Sequence, residues 1–75
     1  MVANAYILLS VEPASTQSVV AQLRAVRGAI VHEVLGPYDV IVELEADTQE
    51  DITGILRQKI RPIRGITNTV TCMWF

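Results

Sequence analysis

The 75-residue chain has one cysteine, Cys72, and one histidine, His32. No disulfide can close within it, and no Cys/His cluster at ligand spacing is available to build a structural metal site. Basic residues are also few. Six Lys and Arg stand against eight Asp and Glu, which lacks the positive footprint that phosphate-backbone binding requires and argues against direct nucleic-acid contact. No apolar run approaches the roughly 20 residues needed to cross a bilayer. The opening "MVANAYILLS" carries no Lys or Arg ahead of its apolar stretch, as a secretory leader would. These absences describe a cytoplasmic protein without metal, cofactor or membrane partner.

What the chain has is apolar surface. Hydrophobic residues make up 51% of it, and the mean hydropathy is +0.37. A domain this small buries a limited share of its surface, so with no disulfide or metal to help, association with other copies is the remaining source of stability. A homo-oligomer is expected.

Hydrophobic period divides the chain into six elements. "AYILLSV", Ala5 to Val11, is strand-like and is closed by Pro13. "STQSVVAQLRAVRG" opens on the capping types Ser15 and Thr16, sets Val19, Val20, Leu23 and Val26 on one helical face, and ends at Gly28. Strands follow at Ala29 to Leu35 and Val40 to Ala46, so that Gly36, Pro37, Tyr38 and Asp39 form a hairpin tip. Thr48, with Asp51 three residues on, begins a second helix whose stripe is Ile52, Ile55, Leu56 and Ile60 and which Pro62 limits to about Arg61. "ITNTVTCMWF", Ile66 to Phe75, is the last strand.

The order is β-α-β-β-α-β, and the halves echo each other, each helix containing Leu-Arg and each half reaching Arg-Gly before its second strand. This predicts an α+β ferredoxin-like fold: a four-stranded antiparallel sheet with two helices on one face. The first strand is apolar on both sides, with Ile7, Leu9 and Val11 on one and Tyr6 and Leu8 on the other. A strand of that kind is normally buried on both sides. A second subunit laid sheet against sheet, as in dimeric α+β barrels, supplies the missing cover.

"GPYD" at a hairpin tip, "VIVELEADTQEDITGIL" after it, and "IRGITNTVT" opening the last strand resemble the effector-binding (RAM) domain of the Lrp/AsnC transcriptional regulators over nearly the whole chain. Most members carry an N-terminal helix-turn-helix, which these residues lack, so the resemblance implies one stand-alone RAM domain over residues 1–75. It further implies a non-enzymatic module that senses a small molecule, in this family an amino acid. Such a module dimerises through its sheet, builds rings of dimers, and acts on transcription or amino-acid metabolism with itself or a full-length Lrp/AsnC regulator. Gly36, Tyr38 and Asp39 match the family's GxYD loop, and Thr69 and Thr71 match the threonines of its last strand. Asp39 suits an α-ammonium, while the threonine hydroxyls and the amides near Gly36 suit a carboxylate or polar group. Each also has an ordinary structural explanation, since Gly, Pro and Asp are turn residues and threonine favours strands.

Other side chains carry less. His32 reads as a lone structural or surface imidazole, and Cys72, grouped with Val70 and Trp74, as a small core residue. Glu43 and Glu45 read as a solvated or interface face, and Arg57, Lys59, Arg61 and Arg64 as helix-end and surface charge. Two other classes remain open: a small dimeric α+β barrel enzyme, for which the chain supplies few cavity-type residues, and a purely structural assembly protein.

Overall fold

The computed structural model describes residues 2–74. Its strands are β1 (Ala3–Val11), β2 (Ala29–Glu33), β3 (Val40–Ala46) and β4 (Ile66–Trp74), and its helices are α1 (Thr16–Arg24) and α2 (Gln49–Ile55). A 3-10 turn, Pro13–Ser15, leads into α1, and a widened π-helical turn, Leu56–Ile60, continues α2. The strands form one antiparallel sheet in the order β2-β3-β1-β4. This is the expected ferredoxin-like arrangement. Phe75, placed in the last strand by its sequence, lies outside the described residues.

Alternation along β1 decides which face the helices cover. Ala3, Ala5, Ile7, Leu9 and Val11 are all buried, as are Val40, Val42 and Leu44 beside them on β3. Against this floor α1 packs Val19, Val20 and Leu23, while Ile52, Leu56 and Ile60 come from α2 and its continuation and Ile63 from the turn after it. The core therefore lies between one sheet face and one helical layer.

The helix ends depart from expectation in detail. Thr48 caps α2 as its spacing predicts, its Oγ1 accepting from the Asp51 amide at 3.1 Å. Ser15 makes no such bond at α1; instead the Thr16 hydroxyl donates to the Pro13 carbonyl at 3.1 Å, because the 3-10 turn brings that carbonyl within reach. The chain also leaves α1 before Gly28. The amides of Ala25 and Val26 bond three residues back, to Gln22 and Leu23, tightening the helix into a run of turns. Strand β2 ends at Glu33, two residues short of Leu35.

The Arg-Gly echo has a structural basis. Gly28 (φ +83°) precedes β2 and accepts from the Glu45 amide near the end of β3 at 3.3 Å; Gly65 (φ +102°) precedes β4 and accepts from the Glu12 amide just after β1 at 2.8 Å. Each half thus begins its second strand on a left-handed glycine tied to the end of the other half's first strand. Gly65 is the tighter of the two, because a Cβ there would stand 2.4 Å from Ser15 Cβ.

The second sheet face is open. It presents Tyr6 and Leu8 from β1, Ile30 and His32 from β2, Ile41 and Glu43 from β3, and Val70, Cys72 and Trp74 from β4. The Tyr6 and Trp74 rings stack at 4.4 Å. Cys72 is exposed here and is not a core residue of the single chain. Its grouping with Val70 and Trp74 is as expected, but the helices cover the alternate set, Thr69, Thr71 and Met73, which faces Leu9, Ile7 and Ala5 of β1.

Gly65→Ala is expected to cost about 2–4 kcal/mol, from a positive φ unsuited to alanine and a methyl forced onto Ser15. Urea denaturation would show it as a lower midpoint at unchanged slope.

Candidate functional site

The hairpin between β2 and β3 is closed by the Val34 amide donating to the Asp39 carbonyl at 3.0 Å. Its tip is exposed through Leu35, Gly36 and Pro37, and Tyr38 is half-buried beneath it. A side chain at Gly36 would meet nothing within 4 Å, so close packing is not what selects glycine there.

Asp39 is fixed twice to β1. Its amide donates to the Leu9 carbonyl at 2.9 Å, extending the β1–β3 ladder by one bond. Beyond this point β3 has no backbone left to offer, and the carboxylate takes over: Oδ2 accepts from the Val11 amide at 2.8 Å. Val11 is buried and lies where the β1–β4 register shifts, Ser10 pairing with Asn68 but Val11 with Ile66. A buried amide at such an irregularity needs a partner from outside the ladder. Asp39 is therefore part of the sheet's construction, a role that its place among turn residues did not reveal. Its second oxygen, Oδ1, remains a strong acceptor for a ligand donor.

The five residues matched to the family motif do not meet in one pocket of one chain. Thr69 and Thr71 share a face, as their spacing requires, and both are half-buried on the helix-covered side of β4. Thr69 pairs with Leu9 from one side of β1, while Val40, next to Asp39, pairs with Leu9 from the other. The loop and Thr69 thus share an end of the sheet but stand two strand spacings apart, about 10 Å. Thr71 lies two residues further along, opposite Ile7.

A depression of about 750 Å³ lies elsewhere. It sits between the turn after α1 and the start of α2, bordered by Arg27, Glu45, Asp47, Glu50, Asp51 and Lys59. This is the opposite end of β3 from the loop, about 20 Å away for a strand of this length. Its only trace in the sequence is the acidic run "ELEADTQED". Among the described residues no group of His, Cys, Asp and Glu is arranged to hold a metal ion, and no helix is long and apolar enough to cross a membrane.

Comparison with known proteins agrees with this architecture. The family model for the Lrp/AsnC ligand binding domain matches residues 4–75. The chain therefore belongs to the Lrp/AsnC ligand-binding-domain family. An uncharacterized HTH-type transcriptional regulator of Pyrococcus horikoshii is 39% identical over 76 residues, a match that takes in 96% of this chain and 51% of the regulator. The chain spans about half the length of the curated relatives it matches. Among solved structures, a hypothetical protein of P. horikoshii superposes with a TM-score of 0.89 at 32% identity, over 100% of this chain and 90% of its own. Escherichia coli AsnC superposes with a TM-score of 0.89 over 97% of this chain and 50% of its own; at 19% identity this shows the shared fold.

Asp39→Ala strands the buried Val11 amide and is expected to cost about 1–3 kcal/mol of stability. Asp39→Asn keeps an oxygen acceptor at the same place and is expected to lose less than half as much. Thermal and urea unfolding of the two variants compare them directly, and equal stability of alanine and asparagine would remove the structural role.

Proposed function

We propose that the chain is a non-enzymatic sensing module that binds a small molecule, an amino acid in the first instance, and conveys occupancy through assembly with itself or with a full-length Lrp/AsnC regulator. The observation that carries this reading is the open sheet face. A member of a ligand-binding-domain family leaves Tyr6, Ile30 and Trp74 between 39% and 59% exposed on one continuous surface. Single exposed apolar residues are ordinary, but several on one sheet face, from β2, β1 and β4, mark an interface. A second copy laid face to face covers this surface, and a symmetric contact of that kind uses the same patch twice.

The ligand site of this proposal is the loop end of the sheet. Asp39 Oδ1 accepts from an α-ammonium, and amides near Gly36, with Tyr38 beside them, take the polar remainder. Thr69 and Thr71 are too far from Asp39 within one chain for a small amino acid to touch all three. In this reading they contribute from a neighbouring chain, and the effector sits between chains. The relatives' description as HTH-type regulators supports a role in transcription. The balance of six basic to eight acidic residues supports action through a partner rather than by direct DNA contact, and the same setting makes the cytoplasm its place of work.

Sedimentation at micromolar concentration is expected to show at least a dimer, and Trp74→Glu, which puts a charge at the edge-strand end of the apolar surface beside Tyr6, to weaken it without unfolding the chain. A thermal-shift screen of the free amino acids, followed by calorimetry on any that stabilise the protein, tests the sensing role. Asp39→Asn and Thr71→Val are each expected to weaken binding by about 1.5–3 kcal/mol, the usual cost of a lost hydrogen bond to a charged group. Unchanged affinity in both, with the assembly intact, would move the ligand away from the loop. A specific gel shift of duplex DNA by the 75-residue chain at physiological salt would overturn action through a partner.

A further inference from the structure

We infer that the His32–Glu43 pair couples closure of the open sheet face by a second copy of this chain to protonation of His32. The inference rests on the reading of that face as the self-association surface. His32 Nε2 lies 2.7 Å from Glu43 Oε2 across the β2–β3 pair, with the side chains 50% and 36% exposed. Held in water, a pair like this contributes little. Its position is what gives it weight.

Glu43 stands on an interior strand. In the register it faces Ile30 of β2 on one side and Tyr6 of β1 on the other, and Cys72 of β4 continues the same row. His32 faces Ile41, in a row that continues through Leu8 and Val70. A partner sheet seated on these rows strips water from the Glu43 carboxylate, and a desolvated carboxylate without a countercharge is expensive. No Lys or Arg occurs in any of the four strands. The other titratable groups on this face are Tyr6 from β1, Cys72 from β4 and Glu45 two residues along β3, while Glu33, by alternation, projects to the helix side. Within the sheet, His32 alone can bring positive charge to this face, and Glu45 adds a second negative one.

A symmetric contact doubles every charge. With neutral imidazoles, each Glu43 keeps a hydrogen bond but carries an uncompensated negative charge under the partner; with imidazolium, each pair is neutral before the water leaves. Assembly therefore takes up protons. The dissociation constant falls as pH falls.

Sedimentation equilibrium of the chain at pH 6, 7 and 8, with circular dichroism to confirm folding, tests this. Between pH 8 and pH 6 the dimer is expected to tighten about tenfold or more, the range that one or two linked protons allow. His32→Gln retains a donor for Glu43 but does not titrate, and is expected to make the dissociation constant insensitive to pH. Glu43→Gln removes the carboxylate and is expected to be tighter than the wild type at pH 8 and to lose the tightening at low pH, because an imidazolium covered without its carboxylate is disfavoured. A pH slope that survives in His32→Gln, or a wild-type dimer that binds alike at all three values, overturns the switch and leaves the interface standing. A wild-type chain that stays monomeric throughout overturns the interface, and the switch with it.

Discussion

Everything in this fold is placed by β1. It is the strand that both halves of the repeat share as a neighbour, bonded to β3 along one edge and to β4 along the other. Its odd-numbered side chains form the floor beneath both helices. An interior strand has no edge to water, so its even-numbered set, Tyr6 and Leu8 in particular, is flanked by other strands and has only the open face before it. The apolar character of that set is compatible with a free surface only at a cost. The same strand that organises the core thereby creates the demand for a partner.

The bonds at the ends of β1 show how a chain with a single cysteine holds its halves together. At one end Gly65 and Glu12 join the second half to the first, and at the corresponding place in the pseudo-repeat Gly28 and Glu45 do the same. Where β3 has run out, the Asp39 carboxylate satisfies the Val11 amide beside the register shift. None of these contacts buries much area. Each meets a backbone group that would otherwise be left unpaired near the core, and such a group costs more to neglect than an ordinary hydrogen bond returns.

How much of this the sequence disclosed follows from the range of each interaction. The period-2 alternation of β1 and β3, the Thr48 cap and the Arg-Gly echoes are local patterns, and each predicted the element that the structure contains. Cys72 marks the limit of that kind of reading. Alternation grouped it correctly with Val70 and Trp74, yet both sets of β4 carry apolar side chains, so period alone could not say which one the helices cover. That choice is made by pairing with β1, where Thr71 meets Ile7 and Cys72 meets Tyr6. The bond from Asp39 to Val11, 28 residues apart, leaves no periodic trace at all, and "GPYD" therefore read as a turn with a possible ligand role. The depression beside α2 was hidden for the same reason, because its walls come from segments that only the closed sheet brings together.

Asp39 resolves the apparent choice between scaffold and site. A carboxylate has two oxygens and about four lone-pair directions, and the Val11 bond uses one oxygen only. The remaining oxygen is held by the bond that also secures the strand, so a ligand's donor meets an acceptor already oriented, with little side-chain entropy left to lose on binding. Alanine at this position removes both roles at once, and a loss of binding in that variant alone would say nothing about contact. Asparagine separates them: it keeps the oxygen that Val11 needs and removes the negative charge that an ammonium needs.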